Sequence, residues 1–198
     1  MRTDHYQSLQ LSRFKSNIFI NPCTVFLLTV AVVLSSDSVK LAGAADLDAS
    51  LYASLDKLHG HTCAGSIIGA RIGLAAKAVM KHAGGEGRLK SRYFDHSCAV
   101  DGIQVAAGTT YGNRDLEVED RNEHRLLLSA ETNHRQVEAR LTKLAESKAK
   151  TSLDLKRRSR VLPSGSAERQ RMEKEIEKIL DWFRLAPEAD VVTVKILR

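Results

Sequence analysis

Apolar residues recur at three- and four-residue steps in two segments of the N-terminal half of the chain. The leucine spacing over residues 47–58 predicts an amphipathic helix. A second helix is predicted over about 66–82, where Ile68 and Ile72 begin an apolar stripe. The glycine-rich segment 84–87 should end that helix, because clustered glycines favour turns.

A second stripe along the same helix consists of Gly65, Gly69 and Gly73, spaced four residues apart. Each glycine inside a helix costs about 1 kcal/mol relative to alanine. Three glycines on one face therefore predict that another backbone packs very close to it.

The rest of the chain predicts mainly strands, with two further helices. Strands are predicted at 89–97, 116–119, 125–128, 136–141 and 191–197, and helices at 100–107 and between Ser166 and Pro187. Residues 136–141 alternate polar and apolar side chains, which favours a half-exposed strand over a helix. This order predicts an α+β fold, a single domain with helices packed on one mostly antiparallel sheet.

The segment at about 143–165 is rich in Lys, Arg and Ser and includes the basic run Lys156–Arg160. Such a run could bind an anionic surface, but no aromatic residue interleaves the charges, so a solvated basic connector is favoured. The whole chain carries a net charge of only +6 and is 5% aromatic, and we expect no nucleic-acid partner.

The first 45 residues have the order of a secretory signal peptide. Basic residues come first, an apolar run of roughly a dozen residues follows Pro22, and the small residues 42–45 offer a cleavage site. A spanning helix needs about 20 apolar residues, so an uncleaved anchor is the weaker alternative. We expect a signal peptide at 1–45, a domain at 46–198, a periplasmic or extracellular location, and no stable membrane insertion after cleavage.

Cysteine chemistry leaves a fork. The chain has three cysteines, and Cys23 would leave with the signal peptide. In an exported protein the remaining Cys63 and Cys98 could form a disulfide, or both could bind a metal ion.

Three candidate ligands lie within five residues at His59, His61 and Cys63. Imidazole and thiolate are the donors that zinc and related transition metals select. On extended backbone, alternate residues project to one side, which would bring the three together. Because the segment precedes a helix, the positive helix end should favour the thiolate of Cys63.

A second cluster supplies Cys98 as a possible fourth ligand. Asp101 and Gln104 follow one helical turn apart, on one side of the predicted helix. Carboxylates and amides in such positions commonly orient a metal-binding imidazole from outside the ligand shell. Asp101 could equally serve only as a favourable charge at a helix start.

Together the clusters resemble the family of the formylmethanofuran dehydrogenase E subunit. The family patterns His-Gly-His-x-Cys-Pro-Gly, Cys-x-x-Asp-Ala-Ile-Gln and Thr-Gly-Cys-Thr-x-Gly correspond to the segments 59–65, 98–104 and 107–112. Ala64 replaces the proline, Thr109 replaces the third cysteine, and the CxxC pairs of some members are missing. The resemblance implies a metal-binding α+β domain, with zinc the expected ion and a homodimer common, and does not imply formylmethanofuran chemistry.

Three functions remain open. The first is an exported metal-binding protein in a binding, delivery or accessory role. The second is an enzyme with an open coordination position, in which His61, Cys63 and Cys98 bind the metal and His59 or Asp101 acts as base. The third is a metal-free domain with a Cys63–Cys98 disulfide. The chain has no P-loop, dinucleotide fingerprint or nucleophile elbow that would name a substrate.

Overall fold

A computed structural model describes residues 49–197, and the predicted signal peptide lies outside this range. In chain order the elements are α1 Ala49–His59, α2 Ala64–His82, β1 Leu89–Tyr93, α3 Ala99–Ala107, β2 Leu116–Val118, β3 Arg125–Ala130, β4 Gln136–Leu141, α4 Lys143–Arg160, α5 Ala167–Leu185, α6 Glu188–Val191 and β5 Val192–Ile196. Within residues 49–197, no helix combines the length and apolarity needed to cross a membrane.

The strands form one five-stranded sheet in the order β2-β1-β3-β4-β5. Only the β1–β2 pair is parallel, and the other three pairs are antiparallel. In β3 and β4 every second residue is buried, so each strand directs one face to the core and the other outward. The predicted α+β class and the single mostly antiparallel sheet are confirmed.

The core lies between the sheet and α2. This helix packs on β3, β4 and β5 with one face and on α3 and α5 with others. Its Ile67, Ile68 and Ile72 are fully or nearly fully buried, together with Leu126 and Leu128 of β3. Helix α2 is therefore the centre on which the other elements are placed.

The segment expected to be a solvated connector at 143–165 contains the 18-residue helix α4. Sequence reasoning missed it because its inward positions are small residues, with Ala145, Ser152 and Ser159 buried, rather than large apolar ones. Thr142 caps its first turn by accepting a hydrogen bond from the Ala145 backbone N–H, 3.1 Å away.

Candidate metal centre

Cys63 occupies the N-cap of α2 and forms a reciprocal capping box with Ser66. The Cys63 sulfur accepts from the Ser66 backbone N–H at 3.5 Å, and the Ser66 hydroxyl oxygen accepts from the Cys63 backbone N–H at 3.0 Å. Sequence reasoning placed Cys63 at the helix start but missed Ser66. Its signal is a hydroxyl residue at the N3 position of the helix.

The glycine stripe of α2 brings α3 into backbone contact, as predicted. A Cβ on Gly69 would overlap the backbone carbonyl of Ala99, and one on Gly73 would lie 3.0 Å from the Cβ of Ala106. At Gly65 an added Cβ would lie 2.9 Å from the Cβ of Cys98. Glycine at position 65 thus lets Cys98, at the N-cap of α3, approach the start of α2.

Three side chains place a possible metal-ligating atom each within 4.8 Å of one another: His59, Cys63 and Cys98. All three residues are half-buried, and both cysteines are free thiols. The His59 Nε2 lies 3.6 Å from the Cys63 sulfur. The chain between the two cysteines contains all of α2 and β1, so tertiary packing creates this group.

His59 is held by a chain of hydrogen bonds from α3. Its Nδ1 lies 2.7 Å from an Asp101 carboxylate oxygen, and Gln104 donates to the other oxygen of Asp101 at 3.2 Å. The Gln104 side-chain oxygen accepts from the backbone N–H of Tyr111 at 3.1 Å. A carboxylate on Nδ1 keeps the proton there and leaves Nε2 free as a donor to a metal.

The alternating arrangement expected for His59, His61 and Cys63 is not found. His59 is the last residue of α1, and Gly60, with φ 82°, turns the chain there. The structure therefore groups His59, rather than His61, with the thiols. The His61 ring centroid lies 4.8 Å from that of His59, and ligation by His61 stays a prediction.

The two thiols have different proton affinities. Burial favours the neutral form of Cys63, but hydrogen bonds from Ser66, Cys98 and His59 together hold its pKa below the ordinary value. Burial raises the pKa of Cys98, and the neighbouring negative charge of Cys63 raises it further. The hydrogen bond to Asp101 raises the pKa of His59. In the metal-free site the thiolate is therefore centred on Cys63.

Thr109, which stands where the resembling family has a third cysteine, faces a different partner. Its buried hydroxyl lies 2.6 Å from the hydroxyl oxygen of Ser91 in β1. Within residues 49–197 the group of possible ligands does not include Thr109. The site thus offers two sulfur donors.

The donor set fits a transition metal such as zinc. Around a tetrahedral ion with metal–nitrogen and metal–sulfur bonds of about 2.0 and 2.3 Å, a nitrogen and a sulfur lie about 3.5 Å apart. The observed separation between His59 Nε2 and the Cys63 sulfur is 3.6 Å. Thiolate and imidazole donors also match the preference of zinc over magnesium or calcium.

Comparison with known proteins agrees with this site. The family model described as "FmdE, Molybdenum formylmethanofuran dehydrogenase operon" matches residues 58–193. The structure of an FmdE-like protein of tungsten formylmethanofuran dehydrogenase type from Syntrophus aciditrophicus is similar, with a TM-score of 0.51 and 16% identity. The likeness covers 75% of this chain and 71% of that one, and at this identity it supports the fold alone.

Comparison with curated proteins gives no match. The family model, however, covers more than half of the chain, including the three grouped ligands and the Asp101–Gln104 segment. The chain therefore belongs to the FmdE family.

Proposed function

We propose that this chain is an exported protein that binds a transition-metal ion, with zinc the expected ion, in a binding, delivery or accessory role. His59, Cys63 and Cys98 would hold the ion. The observation that carries the proposal is that one nitrogen and two sulfur donors lie within 4.8 Å of one another. The hydrogen-bonded Asp101 adds the support from outside the ligand shell that metal-binding histidines usually have.

The Cys63→Ser variant tests the site without disturbing the helix start. Serine is a preferred N-cap residue, so the cap of α2 should persist while the soft thiolate is lost. We expect the reduced full-length chain, stripped with chelator and reloaded, to retain about one zinc by elemental analysis, and the variant to retain none.

Cys23→Ser is the matched control, since Cys23 lies outside residues 49–197 and is not a proposed ligand. It should retain metal as the parent does. Failure of the reduced parent to retain any transition metal would overturn the proposal. A free-thiol count on protein purified without reductant separates metal binding from the alternative of a Cys63–Cys98 disulfide.

Export belongs to the proposal on the basis of the basic, apolar and small residues in order over 1–45. N-terminal sequencing of exported protein should find a start near Ala45 or Asp46. Material that still begins at Met1 would contradict cleavage. The family resemblance also motivates a homodimer, which light scattering of the purified protein tests.

A second candidate, a metal-dependent enzyme, is favoured by the number of grouped donors. Within residues 49–197 the group offers three, and three protein ligands plus water are the usual catalytic arrangement. His61, beside His59, is the residue that could close the shell. If His61→Ala leaves zinc affinity unchanged, the fourth position is open and catalysis is favoured. A loss of tenfold or more, the order seen when metal-site residues are removed, indicates a closed binding site.

A further inference from the structure

The ends of two strands place α4 beside the metal centre. In the sheet register Tyr93 of β1 pairs with Leu126 of β3, which pairs with Ala139 of β4. Strands β1 and β4 therefore run in the same direction and end at the same edge of the sheet. The loop that follows β1 leads to Cys98, and α4 begins two residues after β4 ends. The thiol and the start of α4 thus share this edge.

The first turn of α4 is in electrostatic contact with this edge. His124 lies beside β1, with its Nδ1 2.7 Å from the Tyr93 hydroxyl oxygen. Burial lowers the pKa of His124, while the negative charges of Asp95 and of Glu146 in α4 act in the opposite direction. The helix therefore starts over the end of β1, on the side from which the loop to Cys98 departs.

Lys156 lies on the inward side of α4. It is four residues after Ser152 and three before Ser159, both of which are buried. Residues at these spacings share one face of a helix, and Lys156 is accordingly half-buried. Among the ion pairs within residues 49–197, none includes Lys156. An ammonium group on an inward face without an acidic partner is unusual, because burying an unpaired charge is costly.

The charge of Lys156 reaches the metal centre. Burial and the charge of Cys63 raise the pKa of Cys98, and the positive charge of Lys156 opposes them. The ammonium group thus lies within electrostatic range of one of the grouped sulfurs. Together with its half-buried position, this identifies Lys156 as a cation at the metal centre that the family motifs do not contain.

Charge balance shows what such a cation can do. A divalent ion held by two thiolates and a neutral imidazole is formally neutral, and the nearby Asp101 makes the surroundings negative. An anion approaching the remaining coordination position would meet no attraction from these groups alone. A lysine ammonium supplies a strong hydrogen-bond donor and a positive charge for an anionic oxygen.

We infer that Lys156 binds the anionic group of a ligand that enters the metal centre, and that this ligand is a small oxyanion, a carboxylate or a phosphate. The inference rests on the proposed metal-binding function and adds the ligand class. Lys156 acts here as a binding residue from α4, whereas the metal ligands come from α1, the start of α2 and the start of α3.

The test uses the reduced full-length chain loaded with Co²⁺, whose visible spectrum reports changes in the ligand field. Sodium acetate and inorganic phosphate are titrated at constant ionic strength. We expect at least one of the two anions to change the spectrum. Lys156→Gln should weaken that anion about tenfold, as expected for loss of one charge-assisted contact. Lys156→Arg, which keeps the charge, should retain binding within a few-fold.

Lys150→Gln is the matched control, because it removes one positive charge from an exposed position of the same helix. It should bind the anion as the parent does. Equal anion affinities in the Lys156→Gln and parent proteins, or no response of the cobalt spectrum to either anion, would overturn the inference and leave the proposed function standing. If Co²⁺ does not bind at all, both fall. Thermal melts of each variant show whether a loss reflects unfolding.

Discussion

Helices α2 and α3 pack together very differently from α4 and α5. The first pair is in backbone contact, with Gly69 against the carbonyl of Ala99 and Gly102 against the carbonyl of Ser66. Helix α4 contributes only small buried residues to its packing, and several of its apolar side chains, such as Leu153, are half-exposed. Helix α5 contacts the core through a few large residues, including the fully buried Phe183.

This difference follows the distribution of the chemistry. Backbone atoms cannot rotate away as side chains can, so a contact through glycines determines the distance between two helices closely. That contact positions the thiols, because Cys63 caps α2 and Cys98 caps α3. The α4–α5 pair positions no grouped ligand and can vary in side-chain packing without changing the sulfur–sulfur arrangement.

Gly69→Leu tests this comparison with the largest expected effect. An added side chain would meet the Ala99 carbonyl, which cannot move without shifting all of α3. We expect the free energy of unfolding to fall by about 3 kcal/mol or more, at the upper end of overpacking effects. Denaturant melts measure it. Gly112→Ala, where nothing lies within 4 Å of the added Cβ, is the control and should change little. A neutral Gly69→Leu would show that the close contact does not exist.

Asp101→Ala tests whether α3 supports the ligand as well as the fold. The variant removes the acceptor for His59 Nδ1. We expect zinc affinity to fall by about 10- to 100-fold, the usual range for partners of metal-binding histidines. Competition with a chelating dye measures it. Asp101→Asn retains an acceptor oxygen and should lose less, and an unchanged affinity in Asp101→Ala would separate this carboxylate from the metal centre.

The pH dependence of zinc affinity sharpens the picture of two unequal thiols. The raised pKa of Cys98 keeps its proton near neutral pH, so metal binding must displace that proton. Affinity should therefore fall as the pH decreases, by about tenfold per pH unit for each displaced proton. The slope should steepen at lower pH as His59, whose pKa is raised, and then Cys63, whose pKa is lowered, become protonated. A pH-independent affinity would contradict thiolate ligation.

Ser166→Ala probes the α4–α5 pair with the smallest expected effect. Ser166 caps α5, and its hydroxyl oxygen accepts from the Arg169 backbone N–H at 3.3 Å. Loss of such a cap costs about 1 kcal/mol of stability. Denaturant melts should show this loss, whereas zinc affinity should match the parent. A parallel loss of zinc affinity would mean that the two helix pairs are coupled.

Local patterns were sufficient for most of the fold. Apolar spacing predicted α1 and α2, and strict alternation predicted β4 as a strand. The same reasoning missed α4, because its buried positions are occupied by Ala and Ser, which carry no periodic apolar signal. The strand predicted at 89–97 ends at Tyr93, since the residues that follow form the loop to Cys98.

The sequence by itself determined the kinds of donor available, the helix start at Cys63, and the glycine stripe that requires a close neighbour. These depend on local chemistry and on spacing along one element. Tertiary structure alone decided that the neighbour is α3, that Cys98 meets Cys63, and that His59 rather than His61 is grouped with them. Those outcomes depend on the turn at Gly60 and on contacts between residues far apart in the chain, which no local pattern encodes.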